Sequence, residues 1–188
     1  MQPFDTLTLD TARLRLRSLA PVDAAALYRI YADPVVMRYW SSPPWADPAR
    51  ADEVIAADRV ELPRGAHLRL ALVRKQDDAL IGTCSLFAFH AASRRAELGY
   101  ALARDAWGQG LMAEALDVLV AWAFGELNLN RLEADIDPRN TASAKSLARL
   151  GFVLEGRLRE RWIVGGEVCD AAIYGLLRSA WLARAGGA

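Results

Sequence analysis

The chain has 188 residues, enough for one domain with a sizeable core. Its 23 basic residues balance 23 acidic ones and 53% of the composition is hydrophobic, an ordinary soluble balance that excludes a broad basic face for nucleic acid. The two cysteines (Cys84, Cys169) and two histidines (His67, His90) are too scattered for a metal site, and no apolar run approaches membrane-spanning length.

The opening "MQPFDTLTLD" carries neither the basic nor the apolar segment of an export signal, so a cytoplasmic, reducing location is expected. "ARLRLRSL" alternates Leu14 and Leu16 with Arg13, Arg15 and Arg17, the pattern of a half-buried strand. "PVDAAALYRIYAD" predicts a helix with Pro21 in its first turn and Pro34 beyond its end. A turn-rich aromatic link, "RYWSSPPWADP", leads into a second helix over residues 49–62. Three strands follow, "HLRLALVR", "ALIGTCSLFAF" and "RAELGYAL", with "KQDD" as the hairpin between the first two. From Leu111 the apolar residues Leu116, Leu119, Val120, Ala123, Phe124 and Leu127 recur at helical spacing, and "RLEADI" then alternates as a strand. Residues 140–150 form a short helix, with Asn140 as N-cap and Gly151 as its stop. "FVLEGRLRERWIV", the turn Gly165-Gly166 and "EVCDAAIYGLL" close the chain as a long hairpin, and residues 183–188 read as a loose tail after a single domain over 1–182. Cys84 and Cys169 both lie in apolar strand-like runs and are expected to be buried, inert thiols.

The order is β-α-α-β-β-β-α-β-α-β-β. It describes an α/β sandwich around a mixed sheet and not the regular alternation of a doubly wound fold. At its centre stands "WGQGLMA", whose G-x-G-x-x-A is also a dinucleotide fingerprint. In a dinucleotide fold the first glycine follows the first strand almost at once. Here "ARDAW" intervenes and three strands of the sheet have already passed, which counts against NAD. Two glycines still remove side chains at a helix start, so the amides of Gln109, Gly110, Leu111 and Met112 converge on one point, reinforced by the helix dipole. That is a nest for a phosphate or diphosphate. A plain glycine turn is the competing reading.

Taken with "NTASAKSLARLGF", the stretch "ELGYALARDAWGQGLMAEAL" resembles the acetyl-CoA-binding core of the GNAT superfamily of N-acetyltransferases, in the branch of ribosomal-protein alanine N-acetyltransferases. The likeness runs from "ARLRLRSL" through "YGLL". The family loop is (Arg/Gln)-x-x-Gly-x-(Gly/Ala). Trp107 holds its first place and Gly110 its fourth, while Met112 departs from the small residue of the sixth and is expected to crowd the loop.

The resemblance implies a mostly antiparallel central sheet, flanked by helices and splayed between its fourth and fifth strands. It implies acetyl-CoA as co-substrate, held by Gly108, Gln109, Gly110, Leu111 and Met112 at the diphosphate and by Ala101, Leu102, Ala103 and Asn140 along the pantetheine arm. It implies direct attack of a primary amine, such as a protein N-terminal α-amine, on the thioester. Glu97 is the candidate proton acceptor, or else a solvent-facing residue paired with Arg94 or Arg95. The family's usual tyrosine position is Ala148 here, so Ser143 is the candidate acid, or else a helix residue that satisfies a neighbouring amide. Lys145 and Arg149 are either 3′-phosphate contacts or a solvated face. Tyr39, Trp40, Trp45 and Trp162 are candidates for the acceptor groove or for the core. With no strongly acidic stretch in these segments, no dedicated polyamine pocket is expected. Further readings are a silent acyl-CoA-binding module, a small-molecule acetyltransferase and a homodimer.

Overall fold

The computed structural model describes residues 4–185. Its elements are β1 (Thr8–Asp10), β2 (Leu14–Arg17), α1 (Ala24–Ala32), α2 (Ala49–Arg64), β3 (Leu68–Arg74), β4 (Ala79–His90), β5 (Arg95–Leu102), α3 (Leu111–Gly125), β6 (Arg131–Ile136), α4 (Thr141–Leu150), β7 (Val153–Val164), β8 (Glu167–Leu177) and α5 (Arg178–Ala185). Two differ from the sequence reading. Thr8–Asp10 pairs antiparallel with β2, a strand too short to show a period. Residues 183–185, expected in a loose tail, belong to α5, where Trp181 packs on Phe124 at 5.6 Å; residues 186–188 lie outside the described residues.

The local causes are those the sequence advertises. Pro21 starts a single 3₁₀ turn that runs into α1. Gly65 and Gly151 take left-handed conformations (φ 69° and 98°) that end α2 and α4. The Asn140 side chain caps α4 by accepting from the Ser143 amide at 3.1 Å.

One eight-stranded sheet of order β1-β2-β3-β4-β5-β6-β8-β7 divides the core in two. Leu68, Leu70 and Leu72 of β3 point to the α3/α4 side, where Leu86, Leu98, Leu116, Leu119 and Phe124 are buried with them. Ala71 and Val73 of the same strand point to the α1/α2 side with Leu27, Ile30 and Ile55. Both faces of the central strands are thus covered, which is why they read as near-continuous apolar runs. Each fully buried leucine contributes roughly 1.5–3 kcal/mol. Among buried polar groups, the Tyr31 hydroxyl pairs with Thr83 Oγ1 at 2.7 Å, Asp58 with Arg69 at 2.9 Å and Asp23 with Arg17 at 2.7 Å, whereas His67 Nε2 and Arg178 Nε have no partner among the described residues.

All neighbouring strands are antiparallel except β5 and β6, which run parallel and meet at three positions only: Arg95 with Arg131, Ala96 with Leu132, and Glu97 with Glu133. Beyond Glu97 the two strands part, so the expected splay is present. Its closed end is clamped by Glu133, which accepts from Arg95 at 2.8 Å and Arg131 at 2.7 Å, while Arg131 also reaches Glu155. On the other side β5 lies tight on β4. A β-carbon at Gly82 would run into the Ala101 carbonyl, so glycine is required for this approach.

Gly82→Ala is therefore expected to destabilise the fold by roughly 1–3 kcal/mol, read as a fall in Tm of about 2–4 °C per kcal/mol. An unchanged Tm would show that the β4–β5 spacing is not set at this point.

Candidate active site

The loop between β5 and α3 is built around two left-handed glycines, Gly108 (φ 73°) and Gly110 (φ 75°), the second being the N-cap of α3. A β-carbon at either would face left-handed strain of about 1–2 kcal/mol. Glu114 is the first helix residue whose amide finds the expected carbonyl, that of Gly110 at 3.1 Å. Among the described residues, the amides of Gln109, Gly110, Leu111, Met112 and Ala113 donate to no protein acceptor. The convergence expected from the sequence is thus present, and these groups fit an oxygen-rich anion such as a diphosphate. Met112 does not crowd them. Its side chain is buried with Leu111 and Ala115 in the α3-side core. Trp107 fastens the other end of the loop by donating its indole N–H to the Leu102 carbonyl at 2.7 Å.

A cavity of 260 Å³ lies along the splay between Glu97–Tyr100 of β5 and the β7–β8 hairpin; its wall includes no residue of the glycine loop. The Ala103 amide donates to Ile81 of β4 at 2.8 Å, and hydrogen-bonded positions alternate along an antiparallel ladder. Ala103, Ala101 and Gly99 therefore turn their main-chain groups to β4, whereas Leu98, Tyr100 and Leu102 turn theirs to the gap. This corrects the expected strand contacts. Ala101 and Ala103 are committed to β4, and of Leu102 the amide faces the gap while the carbonyl takes the Trp107 indole.

Glu97 and Ser143 line this one cavity, as do Tyr100 and Asn140. Glu97 makes no ion pair among the described residues; of the partners considered for it, Arg95 goes to Glu133. Burial, and then the nearby Glu133 and Asp135 charges, push its carboxyl above the usual range. Ser143 is buried. Its Oγ lies 2.6 Å from the Tyr100 hydroxyl, which burial pushes up to about 12 against the lowering effect of the Ser143 bond. Tyr100 was not among the sequence candidates, because "GYAL" reads as apolar strand. Only the packing of β5 on α4 exposes it, although a tyrosine on the strand that borders the expected splay is a signal.

The four aromatic candidates divide. Tyr39, Trp40 and Trp162 line the cavity. Trp45 does not: it stacks on Tyr31 at 4.6 Å in the α1/α2 core. Cys84 is buried as expected, but Cys169 is only half-buried, lines the cavity and receives an Arg139 N–H at 3.4 Å. The absence of an acidic stretch misled the sequence reading of charge here. Five carboxylates, Glu97, Asp135, Asp137, Glu167 and Asp170, come to the cavity from β5, β6 and β8 and the β6–α4 loop. Arg139 spans Asp137 and Glu167, and the Trp162 indole donates to Asp135 at 3.3 Å. Lys145 and Arg149 are exposed on α4 and are not part of the cavity wall.

A sheet splayed at one parallel pair, with a glycine loop and its unpaired amides at the gap's mouth, is the architecture of an acyl-CoA transferase. Residues 13–153 match the Acetyltransferase (GNAT) domain family, and the chain belongs to it as an N-acetyltransferase that uses acetyl-CoA. The uncharacterized N-acetyltransferase p20 of Bacillus licheniformis is 37% identical over 171 residues, 91% of this chain and 96% of that protein. The ribosomal protein uS5-alanine N-acetyltransferase of Escherichia coli is 32% identical over 84 residues, 45% of this chain and 43% of its own. Among solved structures, the spermidine N-acetyltransferase of Vibrio cholerae in complex with CoA and spermine superposes with a TM-score of 0.80 at 24% identity, covering 92% of this chain and 99% of that one.

The raised Glu97 carboxyl gives a pH expectation with a definite sign. The ionised form is lost as pH falls through a value above the ordinary glutamate range of about 4.3, so kcat/KM falls on the acid side with that apparent pKa. Glu97→Gln is expected to abolish this limb and lower the rate. Because the folded-state value is raised, ionisation of Glu97 costs stability as pH climbs above the unfolded-chain value, so the same variant should keep or gain Tm at pH 8. An acid limb that survives in Glu97→Gln assigns it to another group.

Proposed function

We propose that the cavity through the splay is where an amine meets the acetyl thioester, with Glu97 and the Ser143–Tyr100 pair as the proton-handling groups. The single observation that carries this reading is their placement along one cavity in the splay, walled by the same strand β5 that leads into the glycine loop. The amides of Gln109 to Met112, with Gly108 and Gly110 giving the close approach, take the diphosphate. The gap-facing main chain of Leu98, Tyr100 and Leu102 pairs with the pantetheine arm as an added strand would, and Asn140 borders it. Ala101 and Ala103 serve by fixing the strand on β4.

The amine enters past Tyr39, Trp40 and Trp162 and gives a proton to Glu97, directly or through water. Its lone pair forms the new C–N bond at the thioester carbonyl while a gap-facing strand amide holds the developing oxyanion. The C–S bond then breaks, and the proton still to be lost by the attacking nitrogen passes through Ser143 Oγ, held by Tyr100, to the departing thiolate, leaving Ser143 as it began. Most of the acceleration comes from juxtaposing two reactants and polarising one carbonyl. The acceptor we favour is a protein N-terminal α-amine, which the E. coli relative's action on a ribosomal-protein alanine supports. A small polycationic amine is the second reading, favoured by the carboxylates around the cavity and by the V. cholerae neighbour's complex with spermine. A cytoplasmic reaction suits the two free cysteines. A homodimer is supported by β7, a sheet-edge strand with Val153, Leu158 and Ile163 exposed; light scattering at twice the chain mass checks it.

A thiol-release assay with acetyl-CoA across N-terminal peptides, lysine peptides, amino acids, polyamines and aminoglycosides tests the acceptor. Turnover with alanine- or serine-initiated peptides above all others supports the first reading, and preference for spermidine selects the second. In the same assay Ser143→Ala and Tyr100→Phe are each expected to lower kcat at least about tenfold, with KM for acetyl-CoA little changed. Full turnover in both variants would remove the hydroxyl pair from the mechanism.

A further inference from the structure

We infer that Arg13, in the turn between β1 and β2, is a positioning and affinity residue of the diphosphate loop, although it lies far from the loop in sequence and outside its motif. The inference rests on the assignment of that loop to the diphosphate. Arg13 makes four distinct approaches to the loop and the start of α3. Its Nη1 donates to the Gln109 carbonyl at 2.9 Å, its Nε to Glu114 Oε2 at 2.7 Å, and its own amide to Glu114 Oε1 at 2.8 Å. Its Nη2 donates to nothing among the described residues and lies 3.6 Å from where a β-carbon on Gly110 would be. The guanidinium therefore keeps a spare donor at the edge of the nest.

Each contact has a consequence for an anion held there. Holding the Gln109 carbonyl turns that peptide's acceptor away from the nest, since a carbonyl facing a diphosphate would repel it. Glu114 sits in the first turn of α3, where a carboxylate suits the helix dipole but competes with a bound anion for the same field. Arg13, with the Thr11 hydroxyl, occupies both Glu114 oxygens and balances their charge. Desolvation pushes the Glu114 carboxyl up, yet the hydrogen bonds from Thr11 and Arg13 hold it below the usual range, so it stays ionised and tied.

The turn that carries Arg13 is itself fixed. The Leu14 amide donates to Thr11 Oγ1 at 2.9 Å, Lys75 Nζ to the Thr11 carbonyl at 2.7 Å, and the Lys75 amide to the Arg13 carbonyl at 2.9 Å. The guanidinium is thus presented on a platform of β2 and β3 and not on the loop it steadies. A flexible glycine loop gains from an external clamp, because less ordering remains to be done when the ligand binds.

The test compares carriers that share the pantetheine arm and differ in phosphate. Binding of coenzyme A, 3′-dephospho-coenzyme A and pantetheine is measured by titration calorimetry on wild type, Arg13→Gln and Arg13→Lys, with Tm as the folding control. Arg13→Gln is expected to weaken both diphosphate carriers about tenfold or more and to leave pantetheine unchanged. Arg13→Lys keeps the charge but cannot bridge Gln109 and Glu114 at once, so it should fall between wild type and Arg13→Gln. Coenzyme A affinity equal to wild type in both variants overturns the inference. Equal loss for coenzyme A and pantetheine also overturns it, since the effect would then be collapse of the loop. Should Arg13→Gln fail to fold, Arg13→Lys decides on the same two criteria. A wild type with no preference for diphosphate carriers over pantetheine would instead refute the loop assignment, and the readout does not depend on which amine is acetylated.

Discussion

The molecule depends on a sheet that stops pairing half-way along two neighbouring strands. β5 and β6 share three residue pairs and then diverge, leaving a row of main-chain donors and acceptors on β5 without a strand partner. Buried main-chain groups are expensive to leave unpaired, so a gap of this kind persists only where something holds the strands apart and something else satisfies the edge. Here the Glu133 ion chain closes one end, α3 and its loop cap the other, and α4 lies across the α3 face with Ser143 against Tyr100. A ligand with alternating amides, entering as a surrogate strand, completes the ladder that β6 abandons.

The two ends of this gap carry opposite electrostatics. At the loop end, unpaired amides, the dipole of the fifteen-residue α3 and the Arg13 guanidinium make a positive region. At the hairpin end five carboxylates reach the cavity against three guanidiniums: Arg139 between Asp137 and Glu167, Arg161 at 3.8 Å from Asp135, and Arg38 in the wall. In the function proposed, an anionic carrier comes from the loop end and an amine from the hairpin end, so that their reacting groups meet at Glu97 and Ser143.

Much of the frame was legible because it rests on local rules. The period of two in "RAELGYAL" and "RLEADI" delimits β5 and β6 to the residue, and Asn140 with Gly151 brackets α4. The glycine nest was legible for the same reason, since positive φ at a helix start has a clear residue signature. What escaped was assembled by register across strands distant in sequence. Tyr100 and Ser143 are 43 residues apart and Arg13 and Gln109 are 96 apart, and no window of sequence contains either pair. The acidic lining escaped likewise, because single carboxylates on separate strands leave no run to notice. Cys169 was misassigned, and Trp45 left between groove and core, for a related reason: composition gives an aromatic or a thiol no direction, and only packing turned one inward and left the other at the cavity.

Period two also explains why β5 carries so many roles without conflict. Its odd residues give their main chain to β4 and their side chains to the α1/α2 face, where Glu97 and Gly99 border the cavity. Its even residues give their main chain to the gap and their side chains to the α3/α4 face, where Leu98 is core and Tyr100 reaches Ser143. A slip of one residue would exchange the two sets, burying Glu97 against the α3 core and pointing Tyr100 away from Ser143. The register is therefore part of the chemistry. It is held where β4 bulges between Phe87 and His90, with Ala88 at φ 50°, and where Gly82 of β4 leaves room for the Ala101 carbonyl of β5. Features that look purely structural at the far edge of β4 thus set which atoms of β5 can meet an acyl group.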